Sequence, residues 1–180
     1  MPLLALDRPT VTVVRVGPSD WPSGVRVVCA AQAATGVPPT SVEALIERTR
    51  IRQEAALGVW HAVVTDPRTG RDEVVGHALC VPMEPDHPAW SEVDDPAVVR
   101  ARTAGSAVLL GALAVDPAWV GRGVAGRLVR ARLEHLRRRD LLPCASVWDA
   151  APGSLALAHR HGRPVGRHPS QPQQLFVYDR

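Results

Sequence analysis

The chain has 180 residues, of which 46% are hydrophobic and 22% charged, and its formal net charge is +3. That length and balance exclude wholesale disorder and allow a real core, most simply one domain over residues 1–180. No apolar run approaches the roughly 18 residues of a membrane helix, so no membrane partner is expected.

The opening "MPLLALDRPT" carries Asp7 early and no basic n-region, so it does not read as a secretory leader. "VTVVRV" (11–16) alternates and predicts a strand. "SDWPSGVRVVCAAQAA" (19–34) predicts a helix after an early turn. A second helix is expected over 38–57, capped by Ser41, with Val42, Leu45, Ile46 and Ala56 at helical spacing. "VWHAVVTD" (59–66) and "EVVGHALCV" (73–81) flank "PRTG" and read as a hairpin. Residues 82–106 are Pro-rich, acidic and aperiodic, and read as a long functional loop.

"AVLLGALAV" (107–115) is apolar throughout, as in a strand covered on both faces. "DPAWVGR" turns the chain into a basic helix over 123–139, where Ala125, Leu128, Val129, Leu133 and Leu136 share one face. Arg132 falls inside that apolar arc. "CASVW" (144–148) predicts a strand and "SLALAHRH" (154–161) a short helix stopped by Gly162. "RPVGR" and "QLFVY" (174–178) supply closing strands.

Cys29, Cys80 and Cys144 are odd in number and far apart, which argues against a disulfide framework or a metal site and for a reducing, cytoplasmic setting. All 21 basic residues are Arg, and Asn is absent; this reads as the habit of a GC-rich, bacterial genome. Charge is uneven. Residues 84–95 hold five carboxylates, whereas residues 122–139 hold seven Arg and one Glu. The helix could serve as a nucleic-acid face, but no aromatic residue interleaves its arginines and no nucleic-acid partner is expected.

"GRGVAG" (121–126) is the focus. G-x-G-x-x-G opening a helix is a dinucleotide fingerprint, and Asp149 stands where a ribose-binding acid would be. Against it, "DPAWV" separates strand from glycines, and only 31 residues follow Asp149. A glycine-rich turn at a helix N-terminus also cradles phosphate in general, through free N–H groups and the helix dipole. A third possibility is that the glycines serve helix–strand packing alone.

The string "LAVDPAWVGRGVAGRLV" resembles the acetyl-coenzyme A signature of the GNAT acyltransferase family. Gly123 and Ala125 match its last two fixed positions. Val120 stands where Gln or Arg is usual, and Gly121 and Arg122 fill variable positions. The element order is similar over nearly the whole chain. The resemblance implies an α/β (α+β-like) fold with a mixed, mostly antiparallel central sheet flanked by helices. It implies transfer of an acetyl group from acetyl-CoA to a primary amine by direct attack, without a metal. The backbone of Leu113, Ala114 and Val115 would meet the pantetheine. Gly121, Arg122, Gly123, Val124, Ala125 and Gly126 would cradle the pyrophosphate, with Arg122 or Arg127 at the 3′-phosphate.

The family's usual acid, a Tyr, falls at Ala158; its usual Phe falls at Arg163, and an Asn at Ala151. These departures leave a degenerate, CoA-binding module as the alternative. Ser154, one turn before Ala158, is the candidate acid, although Ser at such a place commonly caps a helix. Glu84 is the candidate base, with His87 next and a water chain as a further route. Trp90 and Trp119 are expected in the acceptor pocket; Trp21, Trp60 and Trp148 in the core. His159 and His161 read as surface residues, and His77 as a packed strand residue. The acidic stretch implies a cationic acceptor, a small amine or a protein N-terminus. Members of the family often form homodimers.

Overall fold

The structure, a computed structural model, describes residues 9–34 and 41–179. The opening segment with Asp7, and the first residues of the helix expected from 38, lie outside the described residues.

β1 (Val11–Val16) leads into α1 (Trp21–Ala34) and α2 (Val42–Glu54). Ser41 caps α2 as expected, its Oγ accepting from the Ala44 N–H at 3.1 Å. β2 (Gly58–Thr65) and β3 (Asp72–Pro82) form the hairpin around "PRTG". β4 (Ala107–Val115), α4 (Val124–Arg137), β5 (Leu142–Trp148), α5 (Pro152–His161), β6 (Arg163–Arg167) and β7 (Gln173–Val177) follow.

The stretch 82–106 is not the loop its composition suggests. It contains α3 (Pro96–Thr103), whose start is set locally: the Asp95 carboxylate accepts from the N–H groups of Ala97 and Val98, and Pro96 takes the first helical position. Trp90 is not a pocket residue. It is wholly buried, packed in one cluster with Met83, Val93, Val98 and Ala101. The segment folds because these apolar residues pack together on Cys144 of β5 and Leu175 and Val177 of β7.

The strands form one sheet in the order β1-β2-β3-β4-β5-β7-β6, antiparallel except for β4 with β5. This is the mostly antiparallel sheet expected, and it excludes a doubly wound dinucleotide fold. Helices cover both faces. On one face α1 lies so close that a Cβ on Gly24 would stand 2.4 Å from His77 Nδ1. On the other, a Cβ on Gly76 would meet Leu128 and Val124 of α4 at 2.9 Å. Neighbouring strand residues point to opposite faces, so α1 and α4 sandwich β3. His61 and His77 face each other across β2 and β3, both buried, with ring centroids 5.4 Å apart.

One feature of pairing places the site. β4 and β5 are bonded only from Ala107–Leu109 to Leu142–Cys144. Beyond that point β5 keeps β7 as partner and β4 keeps β3, so the two strands splay and leave a wedge in mid-sheet.

Candidate active site

A cavity of about 600 Å³ fills the wedge. Its walls are β4 from Leu109 to Ala114, β5 from Ala145 to Trp148, Val129 and Arg132 of α4, and Ser154, Leu157 and Ala158 of α5. On the opposite face of the sheet it is lined by α1 and α2, including Gln32, Arg48 and Arg52, and by His87, His168 and Gln171. The cavity therefore passes through the sheet and opens to both faces.

β4 is irregular at the cavity. Its register against β3 shifts between His77 and Leu79, and Ala112 adopts a positive φ of 44°. A non-glycine residue there is strained by roughly 1–2 kcal/mol. Strain of that kind persists only where surrounding structure enforces it, and here it re-aims the backbone at the wedge. Arg132 secures the distortion. Its Nη1 donates to the carbonyls of Leu79 and Gly111, both at 3.2 Å, the facing pair of β3 and β4 residues at which the shift begins. Arg132 is 2% exposed and pairs with no carboxylate among the described residues. Burial pulls its pKa down to about 10, so it remains charged at neutral pH. The sequence signal for this role was its place within the apolar arc of α4.

Above the wedge lies the glycine turn. Gly121 and Gly123 have φ of 80° and 79°, a region that only glycine enters without strain. Gly123 is the N-cap of α4 and offers no side-chain cap. The first N–H groups of the helix thus have no intrahelical partner and face outward with the positive end of the dipole. Gly126 has an ordinary φ, and a Cβ built on it would meet nothing within 4 Å. Neither packing nor backbone geometry requires a glycine at 126, and without a side chain there the helix N-terminus stays open to close approach. From Gly123 to Val129 along α4 is about 9 Å, so one rigid helix links this cradle to the cavity wall. The residues fit a phosphate-bearing ligand whose extended arm runs down the wedge.

The expected site residues are placed as follows. Leu113 and Ala114 line the cavity; Val115 lies beyond its end. Val124 is a core residue, 1% exposed, and Ala125 is half-buried; both offer only backbone to a ligand. Arg122 lies over the Trp119 ring, 4.8 Å from its centroid. Trp119 therefore belongs to the rim of the turn, not to an acceptor pocket. Arg127 donates to the Val11 carbonyl at 3.3 Å. Asp149 is held by Arg167 and by Gln174, at the far end of β5, with no ribose role.

Ser154 is not a cap. Ala151 takes that place without a side-chain bond, Pro152 begins α5, and the Ser154 side chain lines the cavity. Glu84 is not brought in. Met83 is buried in the satellite core, which turns the next residue outward, and Glu84 is exposed and outside the cavity lining. His87 does line the cavity, but its Nδ1 accepts from the Ala89 N–H at 3.3 Å. The neutral ring then carries its proton on Nε2 and is a donor, not a base. Trp60 is core as expected; Trp148 lines the cavity. His159 packs edge-on against Phe176 at 4.9 Å.

Tyr178 was missed. It directly follows β7 and lines the cavity, and it packs in one cluster with Ala158. It is the chain's one tyrosine, and a count of spacing along α5 could not find it. Burial raises its phenol to about 12, with the Arg132 charge opposing the shift.

Comparison with known proteins agrees with this geometry. A family model described as the acetyltransferase (GNAT) family matches residues 32–162. A mycothiol acetyltransferase of Rhodococcus jostii (strain RHA1) is 34% identical over 134 residues, which cover 73% of this chain and 33% of that protein. The chain thus spans about a third of the length of this curated relative. Among solved structures, FeeM, an N-acyl amino acid synthase from uncultured soil microbes, superposes with a TM-score of 0.66 at 14% identity, covering 94% of this chain and 91% of that one. Arabidopsis thaliana NAA60 in complex with acetyl-CoA gives 0.64 at 18% identity, covering 94% and 99%. Splayed strands, the glycine turn on α4 and the family match over most of the sequence together lead to one conclusion: the chain belongs to the GNAT acetyltransferase family.

Proposed function

We propose that the protein transfers an acetyl group from acetyl-CoA to a primary amine of a small molecule. The observation that carries this reading is the glycine turn at the head of α4, open to phosphate and rigidly joined to the wedge between β4 and β5. The pyrophosphate rests on the N–H groups from Gly121 to Gly126, and the pantetheine follows the free edge of β4 at Leu113 and Ala114. A volume of about 600 Å³ suits a small acceptor better than a protein N-terminus. Three free cysteines, two of them buried, support a reducing, cytoplasmic setting.

The chemistry is direct. The amine lone pair attacks the thioester carbonyl carbon, a C–N bond forms, and the carbonyl electron pair moves to oxygen. The oxyanion then collapses, the C–S bond breaks, and CoA thiolate departs. The distorted backbone of β4 and the buried Arg132 supply positive potential where the oxyanion forms. Tyr178 and Ser154 supply hydroxyl donors to the sulfur beside Ala158. Tyr178 acts as a hydrogen-bond donor, not a full acid. A phenol near 12 lies about 3.5 units above an ordinary thiol, so full transfer would be uphill by roughly 5 kcal/mol. Among the described residues, no carboxylate lines the cavity, so the ammonium proton passes to water.

Ala158, in place of the family's usual Tyr, favours one competing reading, a module that binds CoA without turnover. Calorimetric titration with acetyl-CoA and, in parallel, NADH tests the cradle, and thiol release with a panel of primary amines tests the reaction. Micromolar acetyl-CoA binding with thiol release above the spontaneous rate is expected. Binding without release would favour the non-catalytic module; binding of NADH alone would refute both readings.

A further inference from the structure

Resting on that reading, we infer that the acceptor is an amine that also carries an anionic group, carboxylate or phosphate, held by Arg48 and Arg52. The acidic stretch at 84–95 suggests the opposite, a cationic acceptor. Its carboxylates do not line the cavity: Glu84 acts on His87 only through its charge, Asp86, Glu92 and Asp94 are exposed, and Asp95 caps α3 and pairs with Arg163. The charged side chains that line that face are Arg48 and Arg52, beside the imidazoles of His87 and His168, with Val28, Ala31 and Val81 as apolar wall.

Arg48 and Arg52 lie one turn apart on one face of α2, and both line the cavity. Between them in sequence, Arg50 is clamped by Glu47 and Glu54 at 2.7 and 2.6 Å. Neither Arg48 nor Arg52 has an ion pair among the described residues. α2 thus spends two of its carboxylates on the arginine that needs no ligand and leaves uncompensated the two that face the cavity. Both side chains keep solvent contact at the cavity's edge; partial desolvation there lowers the Arg52 pKa, and the like charge of Arg48 lowers it further. A bound anion would relieve both effects.

Two histidines add donors. His87 and His168 both line the cavity, and the Nδ1 of each accepts a backbone N–H, from Ala89 at 3.3 Å and Ser170 at 3.2 Å. Each neutral ring is therefore left with its proton on Nε2. Two guanidiniums and two Nε2–H groups make a site for a carboxylate or phosphate, which arginine grips with two parallel bonds. This site is separate from the pyrophosphate cradle: the helix that bears it packs against α1, on the face of the sheet away from α4.

The test compares 3-aminopropanoate and phosphoethanolamine with ethanolamine and putrescine as acceptors, in thiol-release assays. We expect kcat/KM at least tenfold higher for the anionic amines, and the two of them show which anion is preferred. In Arg52→Gln and Arg48→Gln the ratio of anionic to neutral kcat/KM should fall at least tenfold, with the loss in KM. A preference for putrescine, or an unchanged ratio in both variants, would overturn the inference. So would weakened acetyl-CoA binding in these variants, since the arginines would then belong to the cofactor's phosphates. If no amine is acetylated, the transfer reading fails but the anion site is still decided. Calorimetric binding of 3-aminopropanoate, lost in Arg52→Gln, would sustain it, and no binding to the wild type would refute it.

Discussion

Replacing Gly126 by Ala separates two reasons for a glycine. The residue is third in α4, its φ is ordinary, and an added Cβ would touch nothing within 4 Å. Removing a glycine from such a helical site stabilises the fold by roughly 0.5–1 kcal/mol, because the unfolded chain loses freedom. For a chain of this size that raises Tm by about 1–4 °C. In the proposed cradle the same methyl would stand where a phosphate oxygen approaches the helix N–H groups. Losing one hydrogen bond to a charged group costs about 1.5–3 kcal/mol, or roughly tenfold to 150-fold in Kd. Gly126→Ala should therefore be a more stable protein that binds acetyl-CoA more weakly. Thermal unfolding without ligand and calorimetric titration read the two effects separately. A higher Tm with unchanged affinity would refute the phosphate cradle. A lower Tm would refute the claim that the glycine has no packing role.

Two further outcomes follow from buried side chains. Tyr178→Phe should lower kcat about tenfold to 100-fold with KM for acetyl-CoA little changed, since it removes one donor hydrogen bond to the departing sulfur; an equal kcat in a stopped-time thiol assay would remove Tyr178 from the site. Stability should fall on acidification. Burial lowers the pKa of His61, and that of His77 to about 3 from an ordinary 6.5, with the neighbouring His61 and Arg132 charges adding to the effect on His77. The unfolded chain takes protons that the folded chain refuses, so stability is intact above about 6.5 and drains away as pH falls toward about 3. At pH 4.5 the loss from His77 alone is about 2–3 kcal/mol. Denaturant midpoints at pH 7 and 4.5 check this, and a His77→Gln variant with the same pH slope as the wild type would count against it.

Local patterns in the chain were enough for most elements. Alternation in "VTVVRV", the "PRTG" turn, the apolar run 107–115 and the apolar face of 123–139 each depend on contacts within a few residues, so they are written locally. The glycine turn was legible for the same reason: a positive φ and a free helix N-terminus are properties of consecutive residues. α3 was not read because its periodicity lasts only eight residues and lies inside Pro-rich, acidic chain. Trp90 was misread because burial depends on partners that α3 supplies. The site itself is a tertiary product. Arg132 could be seen as a misfit in an apolar arc, yet only the bulge between β3 and β4 explains what it holds. Ala158 could be seen as a missing hydroxyl, yet Tyr178 comes from just past β7, 20 positions on. Charge along the chain pointed to acids at 84–95, whereas the folded cavity collects Arg48, Arg52, His87 and His168 from three separate segments. Sequence determines what each segment can form through short-range hydrogen bonding and periodicity. Which side chains face one cavity is decided by how strands splay and helices dock, because those distances link residues far apart in the chain.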